Sequence, residues 1–302
     1  MCLVVLSGGN WTGRTHPALV PRAPLRGGDF GQRWVRSATP STCIPASDRH
    51  TPIMQYYLIT GAASGIGAAI AQRLASPDCH LLIHTGSNQA GLEAVATTCR
   101  GNGSEVTTLI SDLSVDQAAE NLLAKVKETT DTLHALVLNA GFPDFRNFDE
   151  LDSAGMAKSL AVIAAANYAL LHGLKSTLLA APQAKVIGIS SFLAHKYRLG
   201  DHTIPASATA KAALEALTLS FAAETAPAGL CANVIVPGYI KKNAPNHTPP
   251  DEATLQRIVS RIPAGRLGMP EEVAGLAAFL LSDQANYITG QRIHIDGGML
   301  LQ

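Results

Sequence analysis

Three glycines crowd into Thr60-Gly61-Ala62-Ala63-Ser64-Gly65-Ile66-Gly67, where one apolar run ends and a helical pattern starts. Glycine lets the backbone turn sharply and approach a bound group with no Cβ in the way. A helix start adds amide hydrogens that have no partner inside the helix. Together they can grip an anion, and a pyrophosphate suits a turn of this size. The competing reading is a tight connection between packed elements. Order favours the first: Met54-Gln55-Tyr56-Tyr57-Leu58-Ile59 reads as a strand before the turn and Ala68-Ala69-Ile70-Ala71-Gln72-Arg73-Leu74 as a helix after it, the setting of a dinucleotide site.

Other residues able to do chemistry fall at the ends of later apolar runs. Ser87 and Asn88 follow the second, Asp112 and Leu113 the third, Asn139-Ala140-Gly141 the fourth, Ser190-Ser191 the fifth and Pro237-Gly238 the sixth. The runs themselves predict strands near 54–60, 79–84, 105–110, 133–139, 184–190, 230–236 and 291–295. Helical patterns lie between and beyond them at 65–76, 89–101, 115–130, 152–180, 206–226, 251–260 and 270–282. Alternation of this kind produces parallel βαβ units with right-handed crossovers. The expected fold is therefore α/β, a single Rossmann-type doubly wound domain over residues 54–302 with a seven-stranded parallel sheet. In such a sheet ligands bind at the carboxyl ends of the strands, where the residues named above stand.

The first 53 residues differ in kind, being rich in Gly, Pro, Arg, Ser and Thr without sustained periodicity. They are expected to lie outside the core, with three readings open: an over-long start with Met54 as the working initiator, a targeting segment, or a disordered arm. They hold six arginines and two aspartates, whereas the remainder carries 17 basic and 21 acidic residues, a balance with no basic patch for nucleic acid. Five widely spaced cysteines show neither a disulfide framework nor a paired metal-ligand pattern, which fits a reducing, cytoplasmic setting and no bound metal. The longest apolar stretch, Leu160 to Leu171, is about half the ~20 residues a bilayer crossing needs, so a soluble protein with no membrane partner is expected.

Read together, the segments resemble the short-chain dehydrogenase/reductase family from about Met54 to Gln302. The resemblance rests on Thr60 to Gly67, Asn139-Ala140-Gly141, Ser190-Ser191, Ala210-Lys211-Ala212-Ala213, Pro237-Gly238-Tyr239-Ile240, Arg266 to Ala274, and Thr289-Gly290-Gln291 through Asp296-Gly297-Gly298. It implies a nicotinamide-dependent oxidoreductase acting on a small or medium carbonyl or conjugated enoyl substrate. By the same resemblance Gly61, Ser64, Gly65, Ile66 and Gly67 hold the pyrophosphate, and Asp112 and Leu113 lie near the adenine. Asn139, Ala140 and Gly141 steady the fourth strand and the cofactor, and Pro237, Gly238 and Ile240 line the nicotinamide pocket. The choice of dinucleotide turns on the end of the second strand, where an acidic residue would select the free ribose. His84-Thr85-Gly86-Ser87-Asn88 has none, and Ser87 can donate to a 2′-phosphate, so NADP is expected, with NAD still open. The alternative for Ser87 is a cap on the next helix.

Three positions depart from the family pattern. Its usual acid is a tyrosine four residues before a lysine; here Lys211 is present and Ser207 takes the tyrosine's place. A serine hydroxyl cannot stand in for a phenol with a pKa of about 10. Ile163 aligns where an asparagine is usual, and Lys242 where a threonine commonly contacts the carboxamide. One explanation moves the acid to Tyr197, in a loop about three residues longer than usual. Pro205 to Ala212 is similar to the 2,4-dienoyl-CoA reductase branch, which also has serine at this spacing. Tyr197 would then protonate, Lys211 would hold the ribose, and Ser191 and Ser207 would position the carbonyl. Against this stand a surface aromatic for Tyr197, a backbone-bonded strand-end serine for Ser191, a helix cap for Ser207, a solvated helix lysine for Lys211 and a solvated loop residue for His195. The other explanation is a dinucleotide-binding protein that has lost turnover and acts as a regulatory or structural partner.

The resemblance further implies a homotetramer or homodimer built on the helices near 152–180 and 206–226, with the apolar finish Met299-Leu300-Leu301 at a subunit contact. The run from Lys241 to Pro250 reads as a polar lid over the substrate.

Overall fold

The computed structural model describes residues 54–199, 202–241 and 251–301. Seven strands form one sheet: β1 (Gln55–Ile59), β2 (Cys79–Thr85), β3 (Glu105–Ile110), β4 (Ala135–Leu138), β5 (Lys185–Ile189), β6 (Cys231–Pro237) and β7 (Arg292–Ile295). Every pairing is parallel, and the order is β3-β2-β1-β4-β5-β6-β7. Chain order reverses between β1 and β4, so a crevice opens beyond the carboxyl ends of those two neighbours. The glycine turn leaves β1 there and Asn139-Ala140-Gly141 leaves β4 there.

Eight α-helices flank the sheet among the described residues: α1 (Gly65–Leu74), α2 (Gln89–Gly101), α3 (Ala118–Thr129), α4 (Ser153–Leu160), α5 (Ala166–Leu179), α6 (Pro205–Thr225), α7 (Glu252–Val259) and α8 (Pro270–Leu281). Neighbouring strand residues point to opposite faces, so Ile59, Leu81 and Ile83 pack with α1, α2 and α8. Leu58, Leu82, Leu136 and Leu138 pack with α3, α5 and α6 on the other side. The central strands β4 and β6 are buried along their whole length, while the edge strands β3 and β7 expose part of theirs. That is the burial a parallel sheet with two helical layers imposes.

The strands lie where the apolar runs placed them, and most helix ends fall within three residues of expectation. One difference is the single helix expected over 152–180. A π-helical turn at Ala161–Ala165 divides it into α4 and α5 and carries Ile163, which is fully buried. Asn167 donates from Nδ2 to the Ile163 carbonyl at 2.8 Å and leaves its own buried Oδ1 without a partner. The helical stretch Ser153–Leu179 runs 27 residues and holds an 18-residue window with a mean hydropathy of 1.4, longer than the apolar run suggested and sufficient by length and composition to cross a membrane. Ile163, Leu170, Leu174 and Leu178 on it are fully buried in the core against the sheet. Residues 1–53 and residues 242–250 of the lid expected over 241–250, Lys242 among them, lie outside the described residues.

Candidate active site

The glycine turn is built by Thr60 and Asn139. Thr60 Oγ1, fully buried, donates to the Val137 carbonyl at 3.2 Å and accepts from the amides of Asn139 and Ala140, each at 3.0 Å. Asn139 Nδ2 returns two bonds of 2.9 Å, to the carbonyls of Thr60 and Gly61. Asn139 and Ala140 thus clamp β4 to the turn. The glycines serve different needs. Gly61 has φ +67, and a Cβ on it would stand 2.9 Å from Ala140 Cα. A Cβ on Gly67 would stand 2.3 Å from the Gly61 carbonyl oxygen. Gly65 has φ +57 and faces open space, with nothing within 4 Å of the Cβ position.

An open face at the mouth of α1 is the space a diphosphate requires. Ser64 precedes the helix with its hydroxyl unused as a cap, and the first turn holds no acidic residue to compete with an anion. Gly61, Ser64, Gly65, Ile66 and Gly67 therefore fit a dinucleotide phosphate bridge. At the other end, Ser87 is exposed, and the cap of α2 is Asn88, whose Oδ1 accepts from the Gly91 amide at 3.0 Å. The capping alternative for Ser87 is thereby removed. Asp112 Oδ1 accepts from the Ser114 amide at 3.0 Å and hydroxyl at 2.7 Å, and these bonds hold its carboxyl below the usual range. Leu113 is 6% exposed and packs in the core, so only its backbone is available to an adenine.

A cavity of about 820 Å³ opens beside the turn. Ile66, Asn139, Gly141, Pro237, Gly238 and Ile240 line it, together with Ser191, Ser207 and Lys211. Gly141 is held close to Ile163 and Lys211: a Cβ there would meet Ile163 Cγ1 at 3.2 Å and Lys211 Nζ at 3.5 Å. Gly238 is fixed by contact with Asp296, whose Cα would lie 2.7 Å from a Cβ. Lys211 Nζ donates to the Ile189 carbonyl at 2.7 Å. Burial pushes its ammonium down to about 8, against the field of Glu215, which raises it. It is not a solvated helix lysine.

The serines divide. Ser191 Oγ accepts from the Leu193 amide at 3.2 Å, leaving its hydroxyl hydrogen for the cavity. Ser207, 3% exposed, accepts from the Asp144 amide at 2.8 Å and donates to the Asp144 carbonyl at 3.2 Å. The helix-cap alternative for it is removed. Its hydroxyl is committed to backbone, and α6 is preceded by Ile204, with Pro205 opening the helix. Asp144 is itself held by Arg146, at 3.0 Å and 2.6 Å, so the loop after β4 is braced against the start of α6. Tyr197 is 69% exposed and is not among the residues lining the cavity. The structure thus brings Ser191, Ser207 and Lys211 together and leaves Tyr197 outside.

Several cavity residues were not assigned from sequence. Tyr239 lines the wall with its ring 4.8 Å from that of Phe192, and burial raises its phenol pKa. Its place in Pro237-Gly238-Tyr239-Ile240 was the available signal. His202 lines the cavity and bonds to the Phe145 carbonyl, while Arg257 and Arg261 line it from α7 and the turn after it. Their spacing of four in a helical pattern was legible but undirected. Beneath the cavity Glu215, 3% exposed and one turn beyond Lys211, accepts from Ser190 Oγ at 2.5 Å, His195 Nε2 at 2.9 Å and Arg292 Nε at 2.7 Å. His195 is therefore a hydrogen-bond partner of a buried carboxylate and not a solvated loop residue.

Residues 61–300 match a family model described as enoyl-(acyl carrier protein) reductase. A 3-oxoacyl-[acyl-carrier-protein] reductase FabG from Rickettsia felis is 35% identical over 244 residues, covering 81% of this chain and 96% of that protein. Among solved structures, a short-chain dehydrogenase from Burkholderia cenocepacia in complex with NADP aligns at a TM-score of 0.75 and 27% identity, over 82% of this chain and 99% of that one. A short-chain dehydrogenase/reductase from Serratia marcescens aligns at a TM-score of 0.75 and 27% identity, over 83% and 99%.

Proposed function

The chain belongs to the short-chain dehydrogenase/reductase family, and from that premise we propose that it reduces the ketone of a 3-oxoacyl thioester to the hydroxyl, with NADPH as hydride donor. It is an NAD(P)-dependent oxidoreductase acting on a carbonyl substrate, and NADP is its cofactor. The 3-oxoacyl class comes from the reductases it is related to. The observation that carries the proposal is the adjacency of the open Gly65 cradle to a cavity that Ser191 and Lys211 both enter.

When bound, NADPH supplies a hydride to the carbonyl carbon. Everything else falls to side chains of this protein. Gly61, Ser64, Gly65, Ile66 and Gly67 would hold the diphosphate, Ser87 would bond the 2′-phosphate, and Pro237, Gly238 and Ile240 would shape the nicotinamide end. Ser191 donates its free hydroxyl hydrogen to the substrate carbonyl and so fixes its orientation. Lys211 has three ammonium protons, of which Ile189 uses one, and it lies beside Gly141 where the ribose is expected. Its depressed pKa makes it the proton source we favour: one proton passes to the oxygen as the hydride reaches the carbon, and solvent restores the ammonium. Tyr239 and Lys241 are the other phenolic and ammonium groups in the cavity wall, and substitution separates them from Lys211.

The serine at 207 keeps conjugated enoyl thioesters, as in the 2,4-dienoyl-CoA reductase branch, in the substrate panel. Purified protein with NADPH and a panel of 3-oxoacyl thioesters, ketones, quinones and enoyl thioesters tests the reading by loss of nicotinamide absorbance. Fastest loss with 3-oxoacyl thioesters supports it. NADPH binding without turnover across the panel overturns it in favour of a cofactor-binding subunit.

A homodimer or homotetramer through α5 and α6 belongs to the same proposal. Tyr168 and Leu179 are exposed on α5 beside a groove that Leu217, Phe221 and Glu224 of α6 complete. Light scattering of the purified protein measures the state. Cys79, Cys99 and Cys231 are unpaired, which suits the reducing cytoplasmic location we assign.

A further inference from the structure

Thr254, Arg257, Ile258 and Arg261 recur at the spacing of one helical face, and this face of α7 and the turn after it forms one wall of the cavity. The described lining residues include Lys211, Lys241, Arg257 and Arg261 and no aspartate or glutamate. Arg257 donates to Thr254 Oγ1 at 2.8 Å and feels the exposed Asp251 at the start of α7. Among the described residues no carboxylate forms an ion pair with Arg257 or Arg261. Two guanidinium groups one turn apart repel each other, and a wall that keeps both with only the exposed Asp251 near one of them, and no carboxylate in ion-pair contact, is complementary to an anion.

The cofactor's diphosphate already has the amides of the glycine turn. The cavity also has an apolar wall, with Phe192, Leu193, Ile204, Tyr239 and Ile258 packed together and Phe142 lining it as well. A ligand that meets Ser191, this wall and the two arginines has a reacting carbonyl, an apolar stretch and a negative group.

We propose that Arg257 and Arg261 form an anion subsite that selects acyl substrates bearing a phosphate or carboxylate remote from the reacting ketone. This rests on the carbonyl-reductase reading and adds the residues that would choose among its substrates. The shared chemistry is an oxyanion with two or more acceptor oxygens, which planar guanidinium groups meet in bidentate fashion. It has two sources, the phosphate of a phosphopantetheine arm and a carboxylate at the end of the acyl chain.

The test uses the full chain with NADPH. KM is compared for one 3-oxoacyl thioester on 4′-phosphopantetheine and on pantetheine, which lacks the phosphate. A second pair has the same chain ending in a carboxylate or in its methyl ester. The expected result is a KM roughly tenfold to a hundredfold lower for the charged member of one pair, and which pair shows it identifies the source. That advantage should collapse in R261Q and in the R257Q/R261Q double variant, survive in part in R261K, and shrink as KCl is raised. Equal KM within both pairs, or an advantage unchanged in the double variant, overturns the proposal. If no thioester is turned over, the reductase reading fails separately. Calorimetry of the NADP-loaded protein with 4′-phosphopantetheine, pantetheine, and the carboxylate and methyl-ester ligands then decides the subsite, and equal affinity within both pairs overturns it.

Discussion

Ser207 Oγ and the backbone of Asp144 are paired in both directions, the hydroxyl accepting from the amide at 2.8 Å and donating to the carbonyl at 3.2 Å. One side chain thus satisfies two buried polar groups of a loop that has no strand or helix to satisfy them. Ser207→Ala should therefore act on stability more than on chemistry. Leaving the Asp144 groups unpaired costs about 1–3 kcal/mol, which lowers Tm by roughly 2–4 °C per kcal/mol in a domain of this size. Thermal melting beside the NADPH assay checks it. A loss of turnover by about 10²-fold with Tm unchanged would return Ser207 to the chemistry.

Lys211 should show in the pH profile. Its ammonium is held to about 8 by burial, so as pH rises through that value the proton it would donate is lost and reduction should slow. Lys211→Met should lower turnover by about 10²-fold and remove that limb, whereas Tyr239→Phe should keep it. Stability moves the other way. A lysine with a depressed folded-state pKa leaves the unfolded chain binding more protons between about 8 and 10.5, so stability rises with pH across that window. Urea titrations of the cofactor-free protein at several pH values measure the slope. Tyr197→Phe, on an exposed ring, should hold turnover within about twofold.

Much of this site could be read from the chain because the sheet is parallel. Continuous apolar runs located the strands, and their carboxyl ends located Gly65, Asn139, Ser191 and Pro237 together. What escaped depended on contacts between segments far apart in sequence. The Asp144 latch joins residues 63 positions apart, and the Glu215 cluster draws Ser190, His195 and Arg292 from three segments. No local pattern encodes such partners. The π turn at Ala161–Ala165 escaped for a different reason, because a run of small and apolar residues fits a continuous helix equally well.

Gly65 and Gly67 make a matched pair of substitutions. Gly67→Ala would put its Cβ 2.3 Å from the Gly61 carbonyl oxygen, so the turn itself must shift and Tm should fall. Gly65→Ala meets nothing within 4 Å, and its cost in the protein is the left-handed backbone at φ +57, about 1–2 kcal/mol. Its methyl would instead occupy the diphosphate's approach. Fluorescence titration with NADPH should therefore show Gly65→Ala losing affinity while remaining folded. Unchanged NADPH affinity in that variant would move the phosphate bridge away from α1.

Glu215 ties the end of β5, the loop after it and the edge strand β7 to α6, through Ser190, His195 and Arg292. A buried carboxylate with three donors is costly to disturb, since each partner removed leaves charge or hydrogen-bonding capacity stranded. Arg292 is 44% exposed at its side chain and His195 28%, so water can replace the carboxylate for both. Ser190, 4% exposed, has no such recourse. Arg292→Ala should cost about 3 kcal/mol or more by urea denaturation, because it leaves the buried Glu215 carboxylate without its guanidinium, and Glu215→Ala less, about 1–3 kcal/mol, because only the buried Ser190 hydroxyl is stranded. A double-mutant cycle over Glu215 and Arg292 should give coupling well above the ~1 kcal/mol of an exposed pair. Because Lys211 lies one turn away in the field of this carboxylate, which raises its pKa, Glu215→Gln should also move the alkaline limb of the turnover profile to lower pH. A limb that stays in place would separate the cluster from the chemistry and leave it a purely structural tie.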